Sequence, residues 1–219
     1  MAQRKILIDG LALLATACGG VPQRAGNVPS STPRPAAVSG EARTCLANLD
    51  ASGSQFSPMR DRYYGAGCAT VNAVQLTAVR GDRSQLGVSN IGPVGCPTAN
   101  TFAAWARFGV DRAAQQILES PLVRIETMGS YACRNVAGSS RRSAHSTAAA
   151  VDVAAFILAD GRRISVERDW DGGTREERQF LRVVHRSACR RFGTVLGPDY
   201  NAAHHDHFHL ENEGNAFCG

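Results

Sequence analysis

Apolar residues recur at helical spacing between Thr98 and Glu119, where Phe102, Trp105, Ala106, Val110, Ala113, Ala114, Ile117 and Leu118 fall along one side. Ser120-Pro121 stops that pattern. Val123 to Thr127 then alternates as a half-buried strand does. Two further extended runs, Ala150 to Leu158 and Arg162 to Val166, flank Asp160-Gly161, a good hairpin turn. Thr174 with Glu177 forms a capping-box pattern, which predicts a helix to about Arg191 with Phe180, Leu181, Val184, Ala188 and Phe192 on one side. A final strand is predicted over about Asp206 to Glu211. Helices come first in this reading and antiparallel strands cluster later, so the predicted class is α+β rather than a doubly wound parallel sheet.

The amino-terminal region carries no such pattern. Arg4 and Lys5 precede a short apolar run from Ile6 to Ala15, too short to span a bilayer, so residues 1–17 read as a signal peptide. Leu13-Leu14-Ala15-Thr16-Ala17-Cys18 resembles a bacterial lipobox, with Cys18 the lipidated residue, although Asp9 interrupts the apolar run. From there to Ala42 the chain is rich in Pro, Ser, Gly and Ala and nearly free of large apolar residues. Such a segment cannot bury enough surface to offset its ordering entropy and is expected to be a flexible tether, residues 18–42. The folded domain is placed at residues 43–219, and an exported, periplasmic, membrane-anchored lipoprotein is the expectation.

Composition adds little that changes this picture. Of 219 residues, 43% are hydrophobic and 20% charged, which excludes collagenous, coiled-coil and wholly disordered chains. The net charge of +5 comes almost entirely from scattered arginines, with Lys5 the single lysine, so nucleic acid is not an expected partner. An anionic polymer such as a cell wall suits the balance. With Cys18 set aside, Cys45, Cys68, Cys96, Cys133, Cys189 and Cys218 remain, an even number that reads as up to three disulfides in an exported chain. Cys189 with Cys218 is the favoured pair, tying the chain end to the last helix. No CxxC pair occurs, which argues against a four-cysteine zinc site.

The chemistry concentrates in two segments. Four of six histidines lie in His204-His205-Asp206-His207-Phe208-His209, and on a strand His207 and His209 project from one face. Strict alternation adds His205 to that face rather than His204. His185, in the predicted helix, reads as a packing or surface residue. Earlier in the chain, His145 precedes Asp152 by seven residues, and Asp152 sits between Val151 and Val153 in an apolar strand. A carboxylate there is costly unless it is paired or binds a cation. Two histidines and an aspartate with one position open are the donor set of a catalytic zinc.

These segments resemble the bacterial extensin-like C-terminal domain family, within the superfamily of lysostaphin-type peptidases, zinc D-Ala-D-Ala peptidases and the hedgehog signalling domain. The resemblance is carried by GSYACR (129–134), SAHSTAAAVDVAAF (143–156), ACRRFGTVLGPDYN (188–201) and HHDHFHLE (204–211). It implies one Zn²⁺ at His145, Asp152 and His209. It also implies His204 and His207 flanking the metal-activated water and Arg134 near the substrate carbonyl or carboxylate. In this reading His204 takes precedence over His205, which requires the last strand to start near Asp206. The family's usual S-E-H-A-x-G-N-A-x-D stands here with Ala144, Ser146, Ala148 and Ala149 at its Glu, Ala, Gly and Asn positions. A glycine needed for positive φ would make Ala148 cost about 1 kcal/mol; a glycine needed to admit substrate would make it lower activity.

The expected architecture is therefore an α+β domain whose small antiparallel sheet carries the zinc site, flanked by helices and stapled by disulfides. The expected reaction is metal-assisted hydrolysis of peptidoglycan stem peptides or cross-links. One of His204 and His207 moves the proton, the other stabilises the oxyanion with Arg134, and Asp206 and Ser143 support from behind. The rival expectation is a zinc-stabilised module that binds the cell wall without cutting it.

Overall fold

The computed structural model describes residues 39–214 and 216–219. The expected signal peptide, Cys18 and the tether up to residue 38 lie outside the described residues. The first element, helix α1 (Gly40–Ala51), begins three residues ahead of the expected boundary at 43, because Ser39 caps it by accepting from the Ala42 amide.

Six short strands follow: β1 (Gln55–Pro58), β2 (Arg62–Gly65), β3 (Cys68–Thr70), β4 (Ala73–Arg80), β5 (Gln85–Ser89) and β6 (Pro93–Gly95). They correct the expectation that helices come first. Every residue of β2 is exposed and only Phe56 of β1 is partly covered, so neither strand shows the alternation that marks a half-buried strand. The long predicted helix is present as α2 (Cys96–Trp105), a π-helical turn (Ala106–Asp111) and α3 (Arg112–Ile117). Within the π turn, Gly109 faces Ser187, and a Cβ at Gly109 would overlap the serine side chain.

Beyond it run β7 (Leu122–Gly129), β8 (Ala150–Leu158) and β9 (Arg163–Ser165). The expected continuation of β9 into Val166 is replaced by helix α4 (Val166–Gly172), since the Ser165 side chain accepts from the Arg168 amide and starts a helix. Helix α5 (Arg175–Cys189) opens on the predicted Thr174/Glu177 capping box, with both reciprocal bonds formed. Strands β10 (Thr194–Leu196), β11 (Phe208–Glu211) and β12 (Phe217–Cys218) complete the chain.

The main sheet runs β1-β4-β5-β7-β8-β11-β10-β12, with β6 on β4 and β9 on β8; β2 and β3 form a separate hairpin. It is larger than expected and mixed, because β5 pairs β7 and β10 pairs β12 in parallel. The α+β class, the flanking helices and the disulfide staples are as expected. Cys189–Cys218 is joined as predicted, and Cys45–Cys96 and Cys68–Cys133 complete the set.

One face of the sheet packs on the helices. Trp105, Phe102, Phe156, Phe180 and Phe208 are fully buried there. The indole of Trp105 donates to the Val184 carbonyl at 3.0 Å, so this large side chain is buried with its polar atom satisfied. Phe156 meets Trp105, Phe180 and Phe208 ring to ring. The opposite face of β8 and β11 carries the polar residues considered next.

Candidate metal centre

Strands β8 and β11 pair antiparallel with Asp152 opposite His209. Alternation sends Val151, Val153, Phe208 and Leu210, all fully buried, into the core, while Asp152, His209 and Glu211 face the other way. His145 arrives from a 3₁₀ turn, Ala144–Thr147, whose cap is Ser143: its hydroxyl accepts from the His145 amide at 3.4 Å. Three groups far apart in the chain therefore converge. His145 Nε2 lies 3.1 Å from Asp152 Oδ2 and 3.1 Å from His209 Nδ1, and His209 Nδ1 donates to Asp152 Oδ1 at 2.9 Å.

The ring orientations follow from their outer partners. His145 Nδ1 donates to the Ser130 carbonyl at 3.0 Å, so its Nε2 is turned inward. Ser130 follows directly on Gly129, the last residue of β7, and its own hydroxyl donates to the Pro93 carbonyl. His209 presents Nδ1 because its Nε2 faces Glu211 Oε2 at 3.4 Å. A backbone carbonyl or carboxylate behind each imidazole is the usual outer arrangement around a metal-binding histidine.

Burial pushes the Asp152 carboxyl up, but the hydrogen bonds from His145 and His209 outweigh it and hold it well below the usual carboxylate range. Burial lowers His209, yet Asp152 and Glu211 raise it to about 9. The cluster thus holds positive charge on a buried anion. Tetrahedral zinc with N and O donors at about 2.0–2.1 Å sets its ligands roughly 3.3 Å apart. The two ring nitrogens stand 3.1 Å apart, and each lies 2.9–3.1 Å from its own oxygen of Asp152, so the residues present suit a zinc ion.

Of the three, His209 lines a cleft of ≈ 650 Å³, together with Arg134, His204 and His207 among others, and His145 and Asp152 lie behind it. His204 reaches it because Ala202–His204 forms a 3₁₀ turn and β11 starts only at Phe208. His204 stacks 5.2 Å from His207, ring centre to ring centre, whereas His205 points to solvent and bonds the Ala202 carbonyl. His204 Nδ1 donates to Asn201 Oδ1 at 2.8 Å; that oxygen also accepts from the Ala203 amide. Burial, with the charge on His207 and His209, pushes His204 down to about 4. His207 Nδ1 donates to Asp206 Oδ1 at 2.7 Å and its Nε2 is 3.6 Å from Asp152 Oδ1. Arg134 is exposed on the cleft wall, and its guanidinium has no hydrogen bond or ion pair among the described residues.

His145, Asp152 and His209 are therefore together, with His204, His207 and Arg134 on the adjoining cleft, whereas His205 and His185 stand apart. Sequence reasoning missed Ser130, Glu211 and Asn201. Glu211 continues the alternation of His207 and His209 and was readable on that signal; Ser130 acts through its backbone and left none. His185 packs against Trp170 and Phe208 as expected. It also groups with Cys189 and Cys218, but those sulfurs are bonded to each other and cannot serve as thiolate donors. Ala148 adopts φ 57° and is fully buried, so the departure at that position bears on backbone conformation and leaves the cleft wall unchanged.

A disulfide-stapled α+β domain that gathers two histidines and an aspartate at a cleft defines the class of this protein. Residues 43–219 match the family model described as Extensin-like protein C-terminus, and the chain belongs to that family. No curated protein and no solved structure was found to match.

Proposed function

We propose that the protein is a zinc-dependent peptidase acting on peptide bonds of peptidoglycan. The observation that carries this reading is the meeting of His145, Asp152 and His209 at a cleft whose wall offers two further imidazoles and an unpaired arginine. The peptidoglycan substrate rests on the family resemblance and on the basic character of the cleft.

His145 Nε2, an Asp152 oxygen and His209 Nδ1 would hold one Zn²⁺, which when bound supplies the Lewis acidity that makes water nucleophilic near neutral pH. His207 is the proton carrier. Its Nδ1 is committed to Asp206, its Nε2 makes no hydrogen bond among the described residues and stands 3.6 Å from Asp152 Oδ1, and the Asp206 carboxylate behind it stabilises the imidazolium formed on taking a proton. The same proton passes to the leaving amine. His204 keeps its proton on Nδ1, toward Asn201, so its Nε2 is an acceptor that orients water. That tautomer removes the neutral imidazole from the oxyanion role and leaves Arg134 as the group that meets the developing negative charge.

Three disulfides support export to an oxidising compartment. Within this proposal residues 1–17 direct export and a lipid on Cys18 holds the domain at a periplasmic membrane surface.

A second reading, a zinc-stabilised wall-binding module, draws on Ala144, which lines the cleft where the family pattern has a carboxylate. Incubation of zinc-loaded protein with murein separates the two. The peptidase reading expects new amine termini, abolished by chelator and by His209→Ala. Retention on murein with no new termini from folded, zinc-loaded protein overturns it in favour of the binder.

A further inference from the structure

Between Cys133 and Ser143 the chain makes a small β-ladder beside the cleft. Asn135 and Arg142 form an antiparallel bridge; the Ser143 amide donates to the Arg134 carbonyl at 3.1 Å and the Val136 amide to the Arg141 carbonyl at 2.9 Å. Alternation then places Asn135 and Arg142 on one face and Arg134, Val136, Arg141 and Ser143 on the other. The side chains follow this division. Arg142 reaches away, donating to the Ala66 carbonyl at 2.6 Å, while the other four all line the cleft.

Arg134 pairs with Ser143 across the ladder and Arg141 with Val136, so the two arginines are diagonal neighbours. Diagonal positions stand about 7–8 Å apart, a span that long side chains close easily. Neither guanidinium has a hydrogen bond or ion pair among the described residues. The cleft supplies no anion for them: Glu211 is the one acidic residue among its lining, and it is engaged with His209. Arg107, Arg112, Arg162, Arg163 and Arg168 pair with carboxylates elsewhere on the surface, and what sets Arg134 and Arg141 apart is that both face one cleft. Of two uncompensated guanidinium groups on one concave wall, the one not engaged at the scissile carbonyl is a receptor for a planar anion, and carboxylate matches its fork geometry.

We infer that Arg141 forms a carboxylate clamp beside Arg134: Arg141 grips a free carboxylate of the peptide substrate while Arg134 stays on the scissile carbonyl, and Arg141 thereby sets specificity for acidic peptides. The inference rests on the peptidase reading for its substrate and deepens it. Arg141 is a specificity-determining residue; it takes no part in bond breaking.

The test compares two synthetic peptides of sequence Ala-Glu-Lys-Ala, one with free carboxylates and one with every carboxylate converted to amide. Zinc-loaded wild-type protein is expected to prefer the free-acid peptide in kcat/KM by about tenfold or more, mostly through KM. Arg141→Gln is expected to collapse that preference toward unity, and Arg141→Lys to restore part of it by charge alone. A preference equal in wild type and Arg141→Gln, or none in wild type, overturns the clamp. If neither peptide is cut, the peptidase reading stands or falls on the murein incubation, and calorimetric Kd values for the same two peptides decide the clamp separately, on the same ratio in wild type and Arg141→Gln.

Discussion

His145 and His209 approach through unlike ring nitrogens, Nε2 of one lying 3.1 Å from Nδ1 of the other, with Asp152 bonded to both. The Ser130 carbonyl fixes the first choice and Glu211 the second. On the proposed function, this donor arrangement would gain stability from a cation. At a free zinc concentration about 1,000-fold above Kd, binding is expected to add ~4 kcal/mol to unfolding free energy. The measurement is the melting temperature with and without zinc, alongside metal content after dialysis. Asp152→Asn should abolish the stabilisation. An equal rise in that variant would mean that zinc binds elsewhere.

Asp206 accepts from His207 Nδ1 at 2.7 Å and lies 3.9 Å from His205 Nδ1. Asp206→Asn is expected to reduce kcat by about 10- to 100-fold, the range found for removing an orienting partner from an imidazole. Zinc content should stay at one per chain, and the acid limb of the pH–rate profile should move. A kcat close to wild type would exclude His207 as the proton carrier.

Asp82, which does not line the cleft, lies between Arg112 Nε at 2.7 Å and Arg107 Nε at 2.9 Å. Arg112 first, then Arg107, hold its carboxyl at about 2, below its ordinary 3.8. Because the folded value is the lower one, the pair stabilises above about pH 4, and that contribution disappears as pH falls from 4 through 2. Asp82 is partly solvated, so the contribution is about 1 kcal/mol at most. Urea midpoints of wild type and Asp82→Asn should therefore differ at pH 6 and converge near pH 2. A gap that persists at pH 2 would assign the effect to packing.

Phe156 is fully buried in the core, its ring against Trp105, Phe180 and Phe208. Phe156→Ala is expected to cost about 3–5 kcal/mol, read from denaturant midpoints. Phe156→Leu should recover a large part of that loss. A cost below about 1 kcal/mol for the alanine variant would show that the aromatic layer collapses around the gap.

The second half of the chain was readable because its signals are local. The Thr174/Glu177 box, the turn at Asp160-Gly161 and the apolar side of the long helix each act within a few residues. Strands β1, β2, β3 and β6 were not, because each has only three or four residues and β1 and β2 are largely exposed; β4 carried a readable alternation, Val74, Leu76 and Ala78 against Gln75 and Thr77, that sequence reasoning missed. Helix α4 was hidden by Val166 and Ile164, whose branched side chains read as strand while Ser165 was already capping a helix. The ligand trio was legible as residue types, since an aspartate among valines and a dense run of histidines ask for a cation. His204 was favoured only by resemblance; alternation pointed to His205, and it failed because the 3₁₀ turn ends before the strand begins. The Ser130 carbonyl belongs to the backbone, which every residue shares, so no side chain announced it.

Asp152 and His209 stand directly across from one another on neighbouring strands. Their separation is therefore dictated by the ladder, and loop composition has no say in it. Inserting or deleting a single residue in either strand would swing one donor into the apolar interior and leave the other stranded, with no ligand substituted. The centre should thus tolerate changes of amino acid around it far better than changes of chain length within those two strands.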